Sequence, residues 1–161
     1  MGVLVDLFDY LSDRCYCHFL WDKPRNKVEP QEVIAHFLFK RKAFYQEGGV
    51  KWQNLQPSGR TGDKSAYRID GLDDADVKNL GRTKVLPLRK DVKELFGEVR
   101  WEASKIIGMG LTLNPDNKPW CRHTNIAGWP DSREERKSYA QLLAAKAACT
   151  VPYDPSVKKT V

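Results

Sequence analysis

Long hydrophobic runs are missing from this sequence, and so are the short motifs that mark the best-known hydrolytic and nucleotide-binding sites. No apolar stretch approaches the roughly 20 residues that a membrane-spanning helix needs. The glycine-rich patterns of phosphate-binding loops and dinucleotide-binding folds are absent, and so are the HExxH zinc motif and the Gly-x-Ser-x-Gly turn. No motif therefore ties the chain to one reaction, and whether it is an enzyme stays open.

Histidine and cysteine are also scarce, with three and four residues respectively. Cys15, Cys17 and His18 lie close together in the sequence. Cys121 lies two residues before His123. Common zinc sites separate their paired ligands by about two to four residues, whereas one residue separates each of these pairs, so we expect no metal and no other cofactor. The start of the chain lacks the pattern of a secretory signal, so we expect reduced thiols and a cytoplasmic protein that contacts no membrane.

Basic residues outnumber acidic ones, 27 to 21, and the formal net charge is +6. A positive balance attracts polyanions over long range, which favours nucleic acid or a nucleotide as the partner. An acidic protein is an alternative partner on the same grounds. The composition says nothing about the oligomeric state.

Short strands and short helices alternate irregularly, which predicts a single small α+β domain rather than a doubly wound parallel sheet. The clearest strand covers residues 65–70. A helix over residues 74–80 has Asp73 as its N-cap and Gly81 as a left-handed end. The C-terminal helix, over residues 132–149, begins with a capping box formed by Ser132 and Glu135 or by Asp131 and Glu134.

The chain divides into three parts by composition. Residues 1–29 carry an amphipathic stretch and a proline-containing connector, and we interpret them as an N-terminal appendage. Residues 30–150 form the core α+β domain. Residues 151–161 are predicted to be a flexible tail.

The stretch "CRHTNIAGWP", residues 121–130, is interpreted as a polar loop before the C-terminal helix. Arg122 offers a planar set of donors that fits phosphate, and His123 can exchange a proton near neutral pH. Asn125 can donate a hydrogen bond to an oxyanion, and Gly128 lets the backbone approach a ligand closely. These residues predict an anion site at the helix N-terminus. The alternative is that the same polar groups only satisfy the free amides of the first helical turn.

Arg68 is a further candidate for ligand binding. If Tyr67 and Ile69 face the core, alternation along the strand turns Arg68 outward or into a cleft. A solvated arginine on the surface is the alternative interpretation.

The segments "HFLFKRKAF", "SAYRIDGLDDADVKNLG" and "RHTNIAGWP" with the alanine-rich helix after it resemble a family of small uncharacterised bacterial proteins. The resemblance covers residues 32–148. In that family a Ser-x-aromatic-Arg strand precedes a helix, and an Arg-His-x-Asn-Ile segment leads through Gly-Trp-Pro to a C-terminal helix, with alanine where this chain has Thr124. The resemblance implies a self-standing domain and no particular reaction.

Three functional hypotheses follow. The first is binding of a phosphate-bearing ligand, nucleic acid or a nucleotide, through Arg68, Arg122, His123, Asn125 and Gly128. The second is a metal-independent phosphodiesterase or ribonuclease with His123 as general acid or base and Arg122 as the group that stabilises charge. The third is a protein-interaction module, of the inhibitor or immunity type, in which the cluster is structural.

Overall fold

The computed structural model of the protein describes residues 27–45, 48–90, 92–116, 120 and 122–153. The predicted N-terminal appendage lies outside the described residues, apart from residues 27–29. Cys15, Cys17, His18 and Cys121 also lie outside them, as do residues 154–161 of the predicted tail.

Six antiparallel strands form one sheet in the order β4-β5-β2-β1-β3-β6. This sheet, flanked by a few helices, confirms the predicted α+β class. The strands are β1 (Val33–Leu38), β2 (Lys64–Arg68), β3 (Gly97–Glu102), β4 (Thr112–Pro115), β5 (His123–Ala127) and β6 (Cys149–Pro152).

The described residues contain three α-helices beside the sheet, and none of these is long and apolar enough to cross a membrane. They are α1 (Asp74–Leu80), α2 (Ala103–Ile107) and α3 (Arg133–Ala145). A π-helical segment (Gly81–Val85) extends α1, and short 3-10 turns cover Arg41–Ala43, Trp52–Asn54 and Leu86–Leu88.

Each face of the sheet carries its own hydrophobic core, because side chains alternate along the strands. In β1, Ile34 and Leu38 belong to the larger core, whereas Ala35 and Phe37 belong to the smaller one. The larger core contains Trp101, which is fully buried and donates a hydrogen bond from Nε1 to the carbonyl of Leu143 at 2.7 Å. That bond fastens α3 to the sheet.

The predicted helix starts are confirmed, because capping depends on a few neighbouring residues. Asp73 Oδ1 accepts a hydrogen bond from the amide of Asp76 at 2.8 Å. Ser132 Oγ accepts one from the amide of Glu135 at 3.2 Å and donates one to the Glu135 carboxylate at 2.7 Å, which completes the capping box.

Gly81 does not end a helix in the left-handed conformation, so that prediction is wrong. Its φ is −59°, and the chain continues helically into the π-helical segment. A Cβ at this position would meet side-chain atoms of Leu95 at 2.6 Å and of Phe37 at 2.7 Å. Glycine is therefore needed here for close packing of the smaller core, a tertiary contact that the local sequence does not show.

Residues 123–127 form the interior strand β5 and not a loop, which corrects the interpretation of "CRHTNIAGWP". The predicted tail differs as well, since its first two residues, Val151 and Pro152, pair with β3 as part of β6. Val28, assigned to the appendage, is buried in the larger core.

His36 is a buried histidine on β1, and its Nδ1 lies 2.8 Å from the carbonyl oxygen of Ser65. Burial, followed by the positive charge of Lys64, lowers the pKa of His36 well below its usual value. The folded protein therefore keeps His36 neutral at a pH where the unfolded chain protonates it. The stability linked to this histidine is complete above the unfolded pKa of about 6.5 and is lost as the pH falls below it.

We expect the free energy of unfolding to fall by roughly 1 kcal/mol per pH unit below pH 6 because of this one group. His36→Asn keeps a donor near the position of Nδ1 but cannot take up the proton, so its stability should depend less steeply on pH. Urea unfolding of both proteins at several values between pH 7 and pH 5 measures the difference. Identical slopes would show that His36 is not the group responsible.

Candidate active site

Ser65, Tyr67, His123 and Asn125 share one face of the sheet where β2 runs beside β5. The antiparallel register places Ser65 opposite Asn125 and Tyr67 opposite His123. Because side chains alternate along a strand, all four lie on the face that carries the smaller core. His123 consequently lies diagonally across from Ser65, within hydrogen-bonding reach.

Asp116 reaches the same face from the end of β4, which pairs with β5. Asn114 lies opposite Asn125, and Pro115 lies opposite Thr124. The next residue, Asp116, therefore stands beside His123. The order β4-β5-β2 thus brings together Asp116, His123 and Ser65, each from a different strand or strand end.

His123 makes a hydrogen bond with each of its two ring nitrogens. Its Nδ1 lies 2.5 Å from Asp116 Oδ1, and its Nε2 lies 2.7 Å from Ser65 Oγ. An ionised carboxylate only accepts hydrogen bonds, so Nδ1 carries the proton and Nε2 accepts the Ser65 hydroxyl proton. This is the order of groups found in serine hydrolases: a nucleophile, a general base and an orienting carboxylate.

Asn125 holds the other oxygen of the carboxylate. Its Nδ2 donates a hydrogen bond to Asp116 Oδ2 at 3.0 Å. The carboxylate is thereby fixed at both oxygens, one by the imidazole and one by the amide. The amide of Asn125 thus helps to position Asp116, while the direct binding of a ligand by Asn125 stays a prediction.

The site is shielded on one side and open on the other. His123 is 7% exposed, and its ring meets the buried Tyr67 ring edge-on, with centroids 5.3 Å apart. Ser65 and Asn125 are half-buried, and the Asp116 side chain is 41% exposed. A substrate can therefore reach Ser65 while the imidazole stays packed in a fixed orientation.

Burial raises the pKa of the Tyr67 hydroxyl, although the Ser65 side chain and the positive charge of Arg89 act in the opposite direction. The phenol therefore stays neutral at neutral pH. The nearby carboxylate of Asp116 acts in the same direction as burial. Tyr67 thus presents a neutral hydroxyl group beside the serine.

Arg68 lies on the opposite face from His123 and is 2% exposed, so the expectation that it turns outward is wrong. Its guanidinium donates two hydrogen bonds of 2.7 Å to the two carboxylate oxygens of Glu32. Burial raises the pKa of Glu32, but these bonds outweigh that effect and lower it on balance. Arg68 is engaged within the fold and is not brought to the Ser65–His123 site.

Arg122 is separated from His123 because neighbouring residues of an extended chain point to opposite faces. Its Nη1 donates to the carbonyls of Arg68 and Asp70, at 3.2 and 3.0 Å. Its charge also helps to lower the pKa of Glu32. The adjacent Arg-His pair of the sequence is therefore two separate sites in the structure.

Gly128 and the start of α3 lie at the other end of β5 from His123. Gly128 has a φ of +77°, which favours glycine, and it makes the turn that leaves the strand. His123 and Ala127 are the ends of β5, about 13 Å apart at strand spacing. The capping box and the acidic residues of the first turn, Glu134 and Glu135, occupy the helix N-terminus. The structure does not bring this terminus to the histidine.

Ser65 and Asp116 were missed from the sequence. Ser65 lies in a predicted strand without a predicted chemical role, and no role was predicted for Asp116. The available signal was the alternation in "HTNIA", which indicates a strand with His123 and Asn125 on one face. The strand register that joins Ser65 to His123 connects residues far apart in the chain, and no local pattern carries it.

Within the described residues, no cluster of three or more histidine, cysteine, aspartate and glutamate side chains is arranged to hold a metal ion. Comparison with protein families, with curated proteins and with solved structures finds no match for this chain.

Proposed function

We propose that this chain is a hydrolase that cleaves a phosphate ester through a covalent intermediate on Ser65. The observation that supports the proposal is the pair of hydrogen bonds made by His123, one with Ser65 Oγ and one with Asp116 Oδ1. In this arrangement the imidazole can take the serine proton, and the carboxylate stabilises the imidazolium that forms.

The reaction needs two displacements at phosphorus. In the first, Ser65 Oγ attacks, its proton passes to His123 Nε2, and the leaving oxygen takes that proton as its bond to phosphorus breaks. In the second, water attacks the phosphoseryl group and gives a proton to His123. The Ser65 oxygen then leaves and recovers its hydrogen, which restores the starting site.

The choice of a phosphate ester as the substrate class is based on the positive charge of the protein. The chain carries a net charge of +6, and the positive charge of Arg89 acts on Tyr67 beside the site. Nucleic acid or a nucleotide in the cytoplasm is the proposed source of the ester. In a ribonuclease without a covalent step, His123 would act directly on a ribose hydroxyl. The occupation of Nε2 by Ser65 favours the covalent route.

Binding of a phosphate-bearing ligand without turnover is the second candidate. It is favoured by the partial exposure of Ser65 and Asn125, because both can donate hydrogen bonds to a phosphate oxygen. An acidic protein partner would compete for the same positive surroundings and would block phosphate binding in the same assays.

The test is hydrolysis of bis(p-nitrophenyl) phosphate, with p-nitrophenyl acetate as a neutral acyl ester. We expect a burst of about one p-nitrophenol per chain from the phosphodiester, followed by slower turnover, as a covalent intermediate accumulates. Ser65→Ala should show no burst because it lacks the nucleophile. Ser58→Ala removes an exposed serine of the preceding loop and should behave like the parent.

Three other results would contradict this expectation. A burst with p-nitrophenyl acetate alone would mean that the substrate is a carboxylic ester and not a phosphate ester. Turnover without a burst that persists in Ser65→Ala would exclude the covalent route. Tight binding of the phosphodiester without release of p-nitrophenol would reject the hydrolase and support the second candidate, which is binding of a phosphate-bearing ligand without turnover.

A further inference from the structure

A groove of about 420 Å³ lies between α3 and the residues around Val50, and its volume is in the range of about 300–1,000 Å³ that ligand sites have. Two aromatic rings, a buried valine and one stripe of α3 line this aromatic groove: Tyr45, Val50, Trp52, Gln141, Ala144 and Ala145. Trp52 packs against the larger core, whereas the Ser65 hydroxyl lies on the face of the smaller core. A ligand in the aromatic groove therefore does not occupy the serine site.

Backbone hydrogen bonds hold both aromatic residues in place. The Tyr45 amide donates to the Gly49 carbonyl at 2.7 Å. The Leu55 amide donates to the Trp52 carbonyl at 2.9 Å, which closes the short 3-10 turn that begins at Trp52. These bonds fix the backbone beneath both rings before any ligand binds, which lowers the entropic cost of binding.

Each of the two rings has a lysine beside it. Lys51 Nζ lies 5.8 Å from the centroid of the Tyr45 ring, and Lys137 Nζ lies 5.5 Å from that of the Trp52 ring. Both distances are close to the limit of about 6 Å for a cation–π interaction, so the rings hold the ammonium groups only loosely. Among the described residues, no carboxylate forms an ion pair with either lysine. Both positive charges are therefore available to an anionic ligand.

The indole of Trp52 also has an unused hydrogen-bond donor. The other three tryptophans in the described part of the chain donate from Nε1 to backbone carbonyls: Trp101, Trp120 and Trp129. Trp52 is half-buried, and its Nε1 makes no hydrogen bond with any described residue. A buried tryptophan usually satisfies this donor, and a polar ligand in the groove can do so here. The aromatic groove thus offers ring faces, a neutral donor and two positive charges.

We infer that the aromatic groove binds single-stranded nucleic acid, whose bases stack on Tyr45 and Trp52 and whose phosphates contact Lys51 and Lys137. Stacking on aromatic rings beside basic side chains is the usual way in which proteins hold unpaired strands. The groove has two ring–lysine pairs, and a strand repeats one base and one phosphate per nucleotide. A single nucleotide would use only one of these pairs. The net charge of +6 attracts the same ligand over long range.

The experiment measures the fluorescence anisotropy of a fluorescein-labelled decathymidylate bound to the full-length Ser65→Ala protein, which cannot cleave the probe by the proposed reaction. Tyr45→Ala in this background should weaken binding by about 5- to 100-fold, the loss expected for one stacked base. Ile107→Ala removes an aliphatic side chain that is 42% exposed, as Tyr45 is, and should bind like the background protein.

The salt dependence of binding gives a second readout. Lys137→Ala should reduce the slope of log K against log salt concentration by about 0.7, the contribution of one phosphate contact on a single strand. Lys105→Ala removes an exposed lysine from α2 and should leave the slope unchanged. Thermal melts of each variant establish that it is folded before the titration.

Tryptophan fluorescence locates the bound strand. Binding should quench the emission of the background protein, and Trp52→Phe, which keeps a ring for stacking, should lose most of this quenching. No binding of decathymidylate at low salt by the folded background protein would overturn the inference. Unchanged affinity in Tyr45→Ala, or equally tight binding of a duplex of the same length, would overturn it as well. Polyglutamate that competes as strongly as unlabelled decathymidylate would replace the strand with an acidic protein partner.

Discussion

Replacing His123 by alanine should slow the reaction of Ser65 with a fluorophosphonate by about 10²–10⁴-fold, the usual contribution of a general base. The fluorophosphonate tests the serine without knowledge of the natural substrate, because Oγ displaces fluoride at phosphorus. Without the imidazole nitrogen 2.7 Å away, the hydroxyl loses the base that takes up its proton. The rate constant is measured by the mass of the intact protein at successive times.

Asp116→Asn should reduce the same rate constant substantially, because an amide cannot hold the imidazole in the tautomer that accepts from serine. Asp131→Asn changes an exposed aspartate before α3 in the same way and should have no effect. Labelling at the parent rate in both His123→Ala and Asp116→Asn would mean that the hydrogen bonds do not activate Ser65. The three side chains would then serve only to join β4 and β5 to β2.

Replacing Arg68 by alanine should reduce the free energy of unfolding by about 3–5 kcal/mol, the range for breaking a buried ion pair by removal of one partner. The Arg68 side chain is 2% exposed, and both of its hydrogen bonds to Glu32 measure 2.7 Å. Its removal leaves the Glu32 carboxylate half-buried without its bidentate partner and also opens a cavity. Urea denaturation at neutral pH measures the loss.

Arg82→Ala, which truncates an exposed arginine, should change stability by less than about 0.5 kcal/mol and is the control. The double variant Glu32→Met with Arg68→Met should recover much of the loss, because no charge is then left buried without a partner. A loss below about 1 kcal/mol in Arg68→Ala would instead match a surface ion pair.

The elements that could be predicted from the sequence are those specified by neighbouring residues. The strand at Ser65–Arg68 alternates clearly, and the caps at Asp73 and Ser132 depend on side chains three residues away. The fold contains these locally predicted elements because the tertiary contacts favour the same conformations as the neighbouring residues do. The α+β class followed from the same short elements.

The elements that were missed depend on distant contacts. The polar composition of "HTNIA" and the Gly-Trp-Pro after it indicate a loop, yet burial between β4 and β2 makes these residues an interior strand. Gly81 is required by Leu95 and Phe37, which no local pattern reveals. Arg68 was expected outside because only one hydrophobic face was considered, whereas both faces of this sheet carry a core.

The residues of the candidate site also divide into those that the sequence indicates and those that only distant contacts bring into the site. His123 and Asn125 could be identified as candidate site residues from their chemistry alone, and their side chains do lie on the same face of the sheet. Ser65 and Asp116 could not be identified as their partners from the sequence. The pairing of β5 with β2 and with β4 depends on the packing of the whole sheet. Arg122 was grouped with His123 by adjacency, and the extended backbone separates them.

The most direct measurement for the central claim is the position of the fluorophosphonate on the labelled chain. After reaction of the folded parent protein, peptide mass spectrometry should find one adduct per chain, on Ser65, and unfolding in urea before the reaction should abolish it. No adduct on the folded protein would contradict the account. An adduct on another residue that persists unchanged in Ser65→Ala would contradict it equally.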